Sequence, residues 1–531
     1  MITPVIFWFE SVGFPLLSLL TLTPLFAMIA GLASRSPIFM VRIAYVATLL
    51  EVLLGLYLIV AFDTAKTGIQ FAEQFSGLGV SYSVGVDGLN ILFIPLVTFA
   101  AFLILVYISA TRSAGNSRLI VCVLGYETIL IGAFSALNVL QFWLLTALEL
   151  VPILLLTVQS GLDQKKRHLM MRLLQFFCSS LFLTLSGFLL LAFGLIDSEH
   201  ELTFDLLTLK SNNAYLHDET LIFILLFYGF AIRMPLFPFH GWLPLLVEQG
   251  SLASVAVFIV GLKLGVYAMI RFIFPLVPGV AEQWAGFVLL LCGFSIFYGA
   301  LMALMQNNIY RLLAFAIISH TGMLGFGIFS FHEHGLEGAL LLSLVYGLAS
   351  IGMLFSISLI HEQTGTAMIP RLGNLFDSHT TLALLFLITA LSTMIMPGSL
   401  GFDAGHLLLE GVIEEHEWGV AVIILVGHVM AAGFLLWGFQ QVFLATPGHH
   451  RNYASNSKTV FQERLIALVI CVLHIGTGLN SLPLLNLIDM DAIELVGHYP
   501  IHSSQQNVVE PPAEFMVPDA LDPPEQQGAP E

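Results

Sequence analysis

Two neighbouring stretches decide the fold: IRMPLFPFHGWLP at 232–244 and VGLKLGVYAMIRF at 260–272. The first puts Pro235, Pro238 and Pro244 inside one apolar run. Each proline removes a helical hydrogen bond and collides with the carbonyl four residues back, so a broken helix is expected there. The second puts Lys263 in the middle of another apolar run. Outward from this pair, apolar runs of about twenty residues recur along the chain, the length that crosses a hydrocarbon core of ~30 Å. They fall near 13–33, 40–62, 89–109, 118–137, 138–160, 173–196, 220–246, 252–275, 281–304, 310–331, 337–361, 380–412, 418–446 and 463–485. Of 531 residues 57% are hydrophobic and 10% charged, against about 25% charged in ordinary globular domains. The chain is therefore expected to be an all-α polytopic membrane protein with about fourteen transmembrane helices, of which one could be a signal peptide but not all.

The twelfth run also contains a break signal, Pro397–Gly398 followed by Gly401 and Gly405. A broken helix frees backbone groups that hydrocarbon cannot satisfy, so it survives only inside protein or beside a watery cavity. Two such breaks in corresponding places point to an inverted-repeat transporter with its site at the midplane. Kinks that serve packing alone would give the same proline pattern.

Basic residues set the orientation. If loops alternate sides, Arg35, Arg42, Arg112, Arg118, Lys165, Lys166, Arg167, Arg172, Arg311, Arg371, Arg451, Lys458 and Arg464 share one side, and only Lys66 and Lys210 fall on the other. By the positive-inside rule the first side is cytoplasmic or its equivalent, and both termini lie opposite, on the periplasmic or lumenal side. The net charge of -17 comes largely from acidic loops and the tail and reads as solubilising charge. From about 503 to 531 the chain is Pro/Glu/Gln/Asp-rich and is expected to be disordered. Cys122, Cys178, Cys292 and Cys471 are dispersed through apolar runs without ligand spacing and read as small buried hydrophobes.

Charges at bilayer depth cost at least ~2.5–3.5 kcal/mol and persist facing a cavity or a partner. Glu127, Glu149, Arg233, Lys263 and His320 qualify, while Arg271 sits near a helix end where it can snorkel. Protonatable groups spaced through a bundle are what a proton relay requires. Lys263 is the best candidate, and a structural Lys263–Glu149 ion pair is its alternative. Arg233 holds its proton and would act as a fixed charge. His240 and His320 read either as relay members or as hydrogen-bonded structural histidines. No GxGxxG after a strand, P-loop, HExxH or nucleophile elbow occurs.

Over roughly 80–445 these residues lie in SVGVDGLNILFIPLVTF, LELVPILLL, RMPLFPFHGWLP, GLKLGVYAMIRF, NNIYRLLAFAIISHTGM and MPGSLGF. In that order they resemble the antiporter-like membrane subunits of complex I, specifically chain 4 of the NAD(P)H-quinone oxidoreductases of the chloroplast and cyanobacterial kind. The resemblance implies two inverted five-helix repeats with helices 7 and 12 broken. The implied divisions are helices 1–3 in 1–112, repeats at 113–275 and 276–446, and helix 14 in 447–502. It implies quinone reduction elsewhere in an NDH-1-like assembly coupled to proton translocation, with NAD(P)H, FMN, iron–sulfur clusters and quinone on other subunits and no cofactor on this chain. The membrane would be a bacterial inner membrane or a thylakoid. Lys263 and His320 match the family's relay lysine and histidine.

Several family positions differ. The principal glutamate of the fifth span is Ala147, leaving Glu149; the lysine of the seventh is Arg233; DAH…APT after WLP is reduced to LLVEQGSL. The histidine of the eleventh span is Tyr346 and the glutamate of the twelfth is Gly405, with Asp403, His406 and Glu410 nearby. Such a divergent paralogue fits three functions: a proton-translocating oxidoreductase subunit, an inorganic-carbon-uptake or cation/proton antiporter subunit, or a structural subunit without conduction.

Overall fold

The computed structural model describes residues 4–34, 36–77, 80–110, 117–158, 163–194, 202–212, 218–250, 252–416, 418–446 and 461–497. The tail at 503–531 and Arg35, Arg112, Arg451 and Lys458 lie outside these residues. The first half runs β1 (Val5–Phe7), α1 (Leu16–Ser34), α2 (Pro37–Ala61), β2 (Ile69–Gly77), β3 (Val80–Val86), α3 (Phe93–Ala110), α4 (Ser117–Ser135), α5 (Val139–Leu148), α6 (Leu150–Val158), α7 (Gln164–Gly194), α8 (Glu219–Arg233), α9 (Leu243–Gln249) and α10 (Leu252–Ala268). The second half runs α11 (Pro278–Leu304), α12 (Ile309–Ile328), α13 (Glu333–Thr364), α14 (Thr380–Thr393), α15 (Leu400–Glu415), α16 (Trp418–Phe439), α17 (Phe461–Leu479) and α18 (Asp489–Val496). Among the described residues eleven helical segments are long and apolar enough to cross a bilayer, with Phe93–Ile108 and Thr380–Thr393 as shorter apolar helices.

The expected breaks are present, and each repairs its own backbone. Between α8 and α9 the Trp242 indole N–H donates to the Ile232 carbonyl (3.1 Å), and Leu236 N–H donates to Ala231 O (3.0 Å). Between α14 and α15 the chain turns through positive φ at Ile395 and Gly398, while Met396 N–H reaches Leu391 O and Ser399 Oγ–H reaches Met396 O. Groups freed by the breaks are thus satisfied within protein, as an apolar surrounding demands. Pro152 breaks α5 from α6 in the same way: it cannot accommodate the Leu148 carbonyl, and the helix interrupts at Glu149.

The bundle is layered. α12 and α13 are buried along nearly their whole length and form the inner column, whereas α1, α2, α16 and α17 present large apolar side chains outward. At α13 and α15 the backbones touch: a Cβ on Gly338 would lie 2.4 Å from Leu408 N, and one on Gly411 2.2 Å from Gly335 N. Only glycine permits that approach.

The all-α class stands, with one addition that the sequence reading lacked: β2 and β3 form an antiparallel hairpin, Gln70 opposite Val86 and Ser76 opposite Ser81, with β1 added in parallel. Alternating IQFAEQF and VSYSVGV around Gly77 and Gly79 carry the period of two that marks a hairpin. The hairpin is tied to α1: Glu73 accepts from the N–H groups of Leu17 (2.7 Å) and Ser18 (3.0 Å) and from the Ser18 hydroxyl. That places a carboxylate where a helix N-terminus has unsatisfied donors. Of the cysteines, Cys122 and Cys292 are buried as expected, but Cys178 is exposed on the outer side of α7 and Cys471 is half-buried.

At the hairpin end, α18 folds back against the bundle through Asp491. Its carboxylate accepts from Gly68 N–H (2.8 Å) and Gly88 N–H (2.5 Å), and Glu494 pairs with Lys210 at 3.7 Å. Burial, reinforced by the charges of Asp87 and Glu494 and opposed by the two amides, pushes the Asp491 carboxyl up to about 7. A folded-state value above the unfolded one contributes stability that is full at low pH and disappears as pH rises through the folded value. Docking of α18 is therefore expected to weaken by on the order of 2 kcal/mol between pH 5 and pH 8. Hydrogen exchange of 489–496, corrected for intrinsic rates, should show this, and Asp491→Asn should flatten the pH dependence.

Candidate functional site

The break at Glu149 and the break after Arg233 bring two buried charges together. The Arg233 guanidinium donates to Glu149 Oε2, and the Tyr126 hydroxyl donates to Glu149 Oε1 at 2.6 Å. Arg233 also lies over the Phe177 ring, 5.4 Å from its centroid. The glutamate thus has a charged partner on one oxygen and a hydroxyl on the other, the satisfaction a buried carboxylate requires. This replaces the expected Lys263–Glu149 alternative, because the guanidinium at the end of α8 reaches Glu149. Among the described residues Lys263 forms no ion pair.

Lys263 is 6% exposed and projects from α10 toward α13, where its Cε lies 3.4 Å from the point a Cβ on Gly347 would occupy. His320, on α12, stacks on Tyr346 of α13 with ring centroids 4.3 Å apart and an interplanar angle of 12°. Lys263 and His428 both lie within electrostatic reach of the His320 ring. His428 Nδ1–H donates to Ile424 O at 2.9 Å. Lys263 of the first half and His320, Tyr346 and His428 of the second thus lie near one another where the halves adjoin, with Tyr346 supplying a stacking face to His320.

His240 takes no part in either group. It sits among Phe237, Tyr298 and Phe315, the Tyr298 ring centroid 4.9 Å from its own. The residues around Gly405 also point elsewhere: Asp403 accepts from the Ser481 hydroxyl, His406 stacks on Phe402, and Glu410 lies 4.0 Å from His334. Arg271 does not snorkel. It is buried and paired with Asp87, on a π-helical turn (Met269–Ile273) that extends α10. A π-turn widens the helix by a residue and commonly marks a functional position.

Sequence reading missed Tyr126, Asp87, Glu51 and His428. Glu51 and Asp87 fell to no different rule than Glu127 did, since each is a charge within or at the edge of an apolar run. Tyr126 and His428 carry no sequence signal that separates them from core residues.

Comparison with known proteins gives a consistent outcome. The family described as NADH:quinone oxidoreductase/Mrp antiporter, TM, matches residues 136–431. The chain is 30% identical over 413 residues to the NADH-quinone oxidoreductase subunit M of Rhodobacter capsulatus, covering 75% of this chain and 79% of that one. It is 28% identical over 480 residues to subunit M of Rickettsia typhi, covering 89% and 95%. The fold superposes on a chain of respiratory complex I from Thermus thermophilus with a TM-score of 0.77 at 27% identity, covering 91% of this chain and 100% of that one.

Two predictions follow from the geometry. Arg233→Met leaves Glu149 buried and unpaired and should destabilise the protein by about 3–5 kcal/mol, whereas Arg233→Met with Glu149→Leu should recover most of that loss. Thermal unfolding of the purified protein compares the two. Gly261→Ala places a Cβ on the Tyr126 hydroxyl and 3.0 Å from Glu149 Oε1; it should cost about 1–3 kcal/mol through overpacking, and Tyr126→Phe in the same background should relieve part of it.

Proposed function

Because the chain belongs to the NADH:quinone oxidoreductase/Mrp antiporter transmembrane family, we propose that it is an integral membrane subunit of a proton-translocating NADH-quinone oxidoreductase. It works in an assembly of membrane subunits, and the nucleotide, flavin, iron–sulfur and quinone chemistry belongs to its partners. The carrying observation is the pair of buried clusters, Tyr126–Glu149–Arg233 within the first half and Lys263, His320 and His428 where the first half adjoins the second.

In this proposal Glu149 is the protonatable group of the first half and Arg233 sets its electrostatics without titrating. Lys263, desolvated between α10 and α13, exchanges protons with the His320 side, and the broken helices line the path. His240 belongs to the aromatic packing at the first break and serves the path only by shaping it. The breaks at α8/α9 and α14/α15 fit two inverted repeats at 113–275 and 276–446, with both termini on the periplasmic or lumenal side.

A second reading has its own observation. Gly405 packs against Ile395, and Asp403 is engaged by Ser481, so α15 offers no carboxylate to His320. A subunit kept for docking, with conduction lost, would look like this.

Lys263→Ala in the intact complex, reconstituted in vesicles, separates them. Loss of the proton acceptor should lower the protons moved per electron about tenfold or more, while an unchanged ratio would favour the docking role. Purification from the native membrane tests the host assembly by mass spectrometry. Co-recovery of quinone-oxidoreductase membrane subunits supports the proposal, and co-recovery of a carbonic-anhydrase-like protein or antiporter subunits overturns it.

A further inference from the structure

Outside the matched family segment, two carboxyl groups face each other in the bundle interior. Glu51 comes from α2 and Glu127 from α4, which pack on each other; the two side chains are 0% and 2% exposed and close enough for their charges to act on each other. Among the described residues none of the four oxygens meets a donor. Among the described residues neither carboxyl group forms an ion pair: Arg233 is committed to Glu149, Arg271 to Asp87, and Lys263 turns toward α13. Two negative charges so close together are strongly disfavoured in such surroundings, so the pair at rest holds a proton between them, and its dianionic form is the short-lived one.

A buried acid pair is costly, and apolar residues of the same size would pack the α2–α4 seam without that cost. What distinguishes this one is its connection. Glu127 and Tyr126 both line a small cavity of about 10 Å³, together with Val97, Ala100, Val123 and Val260; that is about the space of a single water. Glu127 is thus a buried polar side chain without a donor beside a water-sized space, and Tyr126, which lines the same space, already donates to Glu149 Oε1.

We propose that Glu51 and Glu127 form a second protonatable site, an acid–carboxylate pair sharing one proton, which exchanges that proton with Glu149 through Tyr126. This rests on the proton-translocating function proposed above and extends its path from Glu149 to α2. The transfer is balanced: the Tyr126 hydroxyl gives its proton to Glu149, its oxygen takes one from the Glu127 side across the cavity, and the phenol is restored. The net change is one proton from the acid pair to the Glu149 carboxylate, and reversal returns it. Tyr126 acts as a relay and not as a store, because its phenol is neutral before and after.

The test uses the intact complex in vesicles with Glu51→Gln, Glu127→Gln, Glu127→Asp and Tyr126→Phe. Glutamine keeps the shape of the side chain, so loss of packing is not at issue. Protons moved per electron should fall about tenfold in Glu127→Gln and Tyr126→Phe and recover in part in Glu127→Asp. An unchanged ratio in Glu127→Gln, in a complex whose unsubstituted form pumps, overturns the proposal. Infrared spectroscopy supplies a readout that does not need pumping. The carbonyl stretch of the carboxyl group that holds the shared proton should be present in the unsubstituted protein and should shift in both single glutamine variants, since either replaces one of the two groups that hold it. If the unsubstituted complex does not pump, the proposed function fails by itself. The infrared band then decides the acid pair: a carboxyl band left unchanged by either Glu51→Gln or Glu127→Gln overturns the shared proton, and a shift in both supports it.

Discussion

Everything in the first half of the bundle is arranged around one requirement, that a guanidinium and a carboxylate removed from water must find each other. Arg233 is the last residue of α8 and Glu149 the residue at which α5 gives way to α6. Both therefore stand at a helix interruption. Pro152 opens the first helix and Pro235 helps to end the second, so backbone interruption and ion pair are two aspects of one construction. The same charges that would be expensive in lipid become fixed points, because removing either one leaves the other without compensation.

From that pair, the polar side chains continue along α10. Gly261 makes room for the Tyr126–Glu149 contact, Lys263 follows two residues later and turns toward α13, Tyr267 follows four later, and Arg271 closes on Asp87 at the π-turn. Residues 263, 267 and 271 are spaced by four, which places them along one side of a helix. One helix therefore bears groups that speak to the ion pair, to the His320 cluster and to the clasp formed by Asp87, Gly88 and Asp491 at the hairpin end.

Much of this was legible in the sequence. Run length and charge poverty give the membrane class, and prolines mark both broken helices. Isolated charges in apolar runs point to Glu149, Arg233, Lys263 and His320. Pairing was not legible, because which charge meets which depends on helix rotation and on where a break falls; hence Glu149 meets Arg233 and not Lys263, and Arg271 meets Asp87 and not solvent. Tyr126 and His428 are invisible for a related reason: aromatic and imidazole side chains are ordinary core residues until a neighbour gives them a task. The β2–β3 hairpin escaped because its alternating pattern lies between two long apolar runs and reads as a loop beside them. Glu51 was within reach of the same rule that found Glu127.

The backbone contact at Gly338 and Gly411 has a mechanical side. α13 has 32 residues, about 48 Å at the ordinary helical rise, and near its N-terminus it is keyed to α15 with no side chain between them. Tyr346 and Gly347, halfway along, stand against His320 and Lys263, and near the far end Glu362 accepts from the Tyr107 hydroxyl at 2.8 Å. The close contact with α15, the two ionisable side chains and the tether to Tyr107 therefore share one helix, so any shift of α13 along its axis would change the surroundings of Lys263 and His320 together.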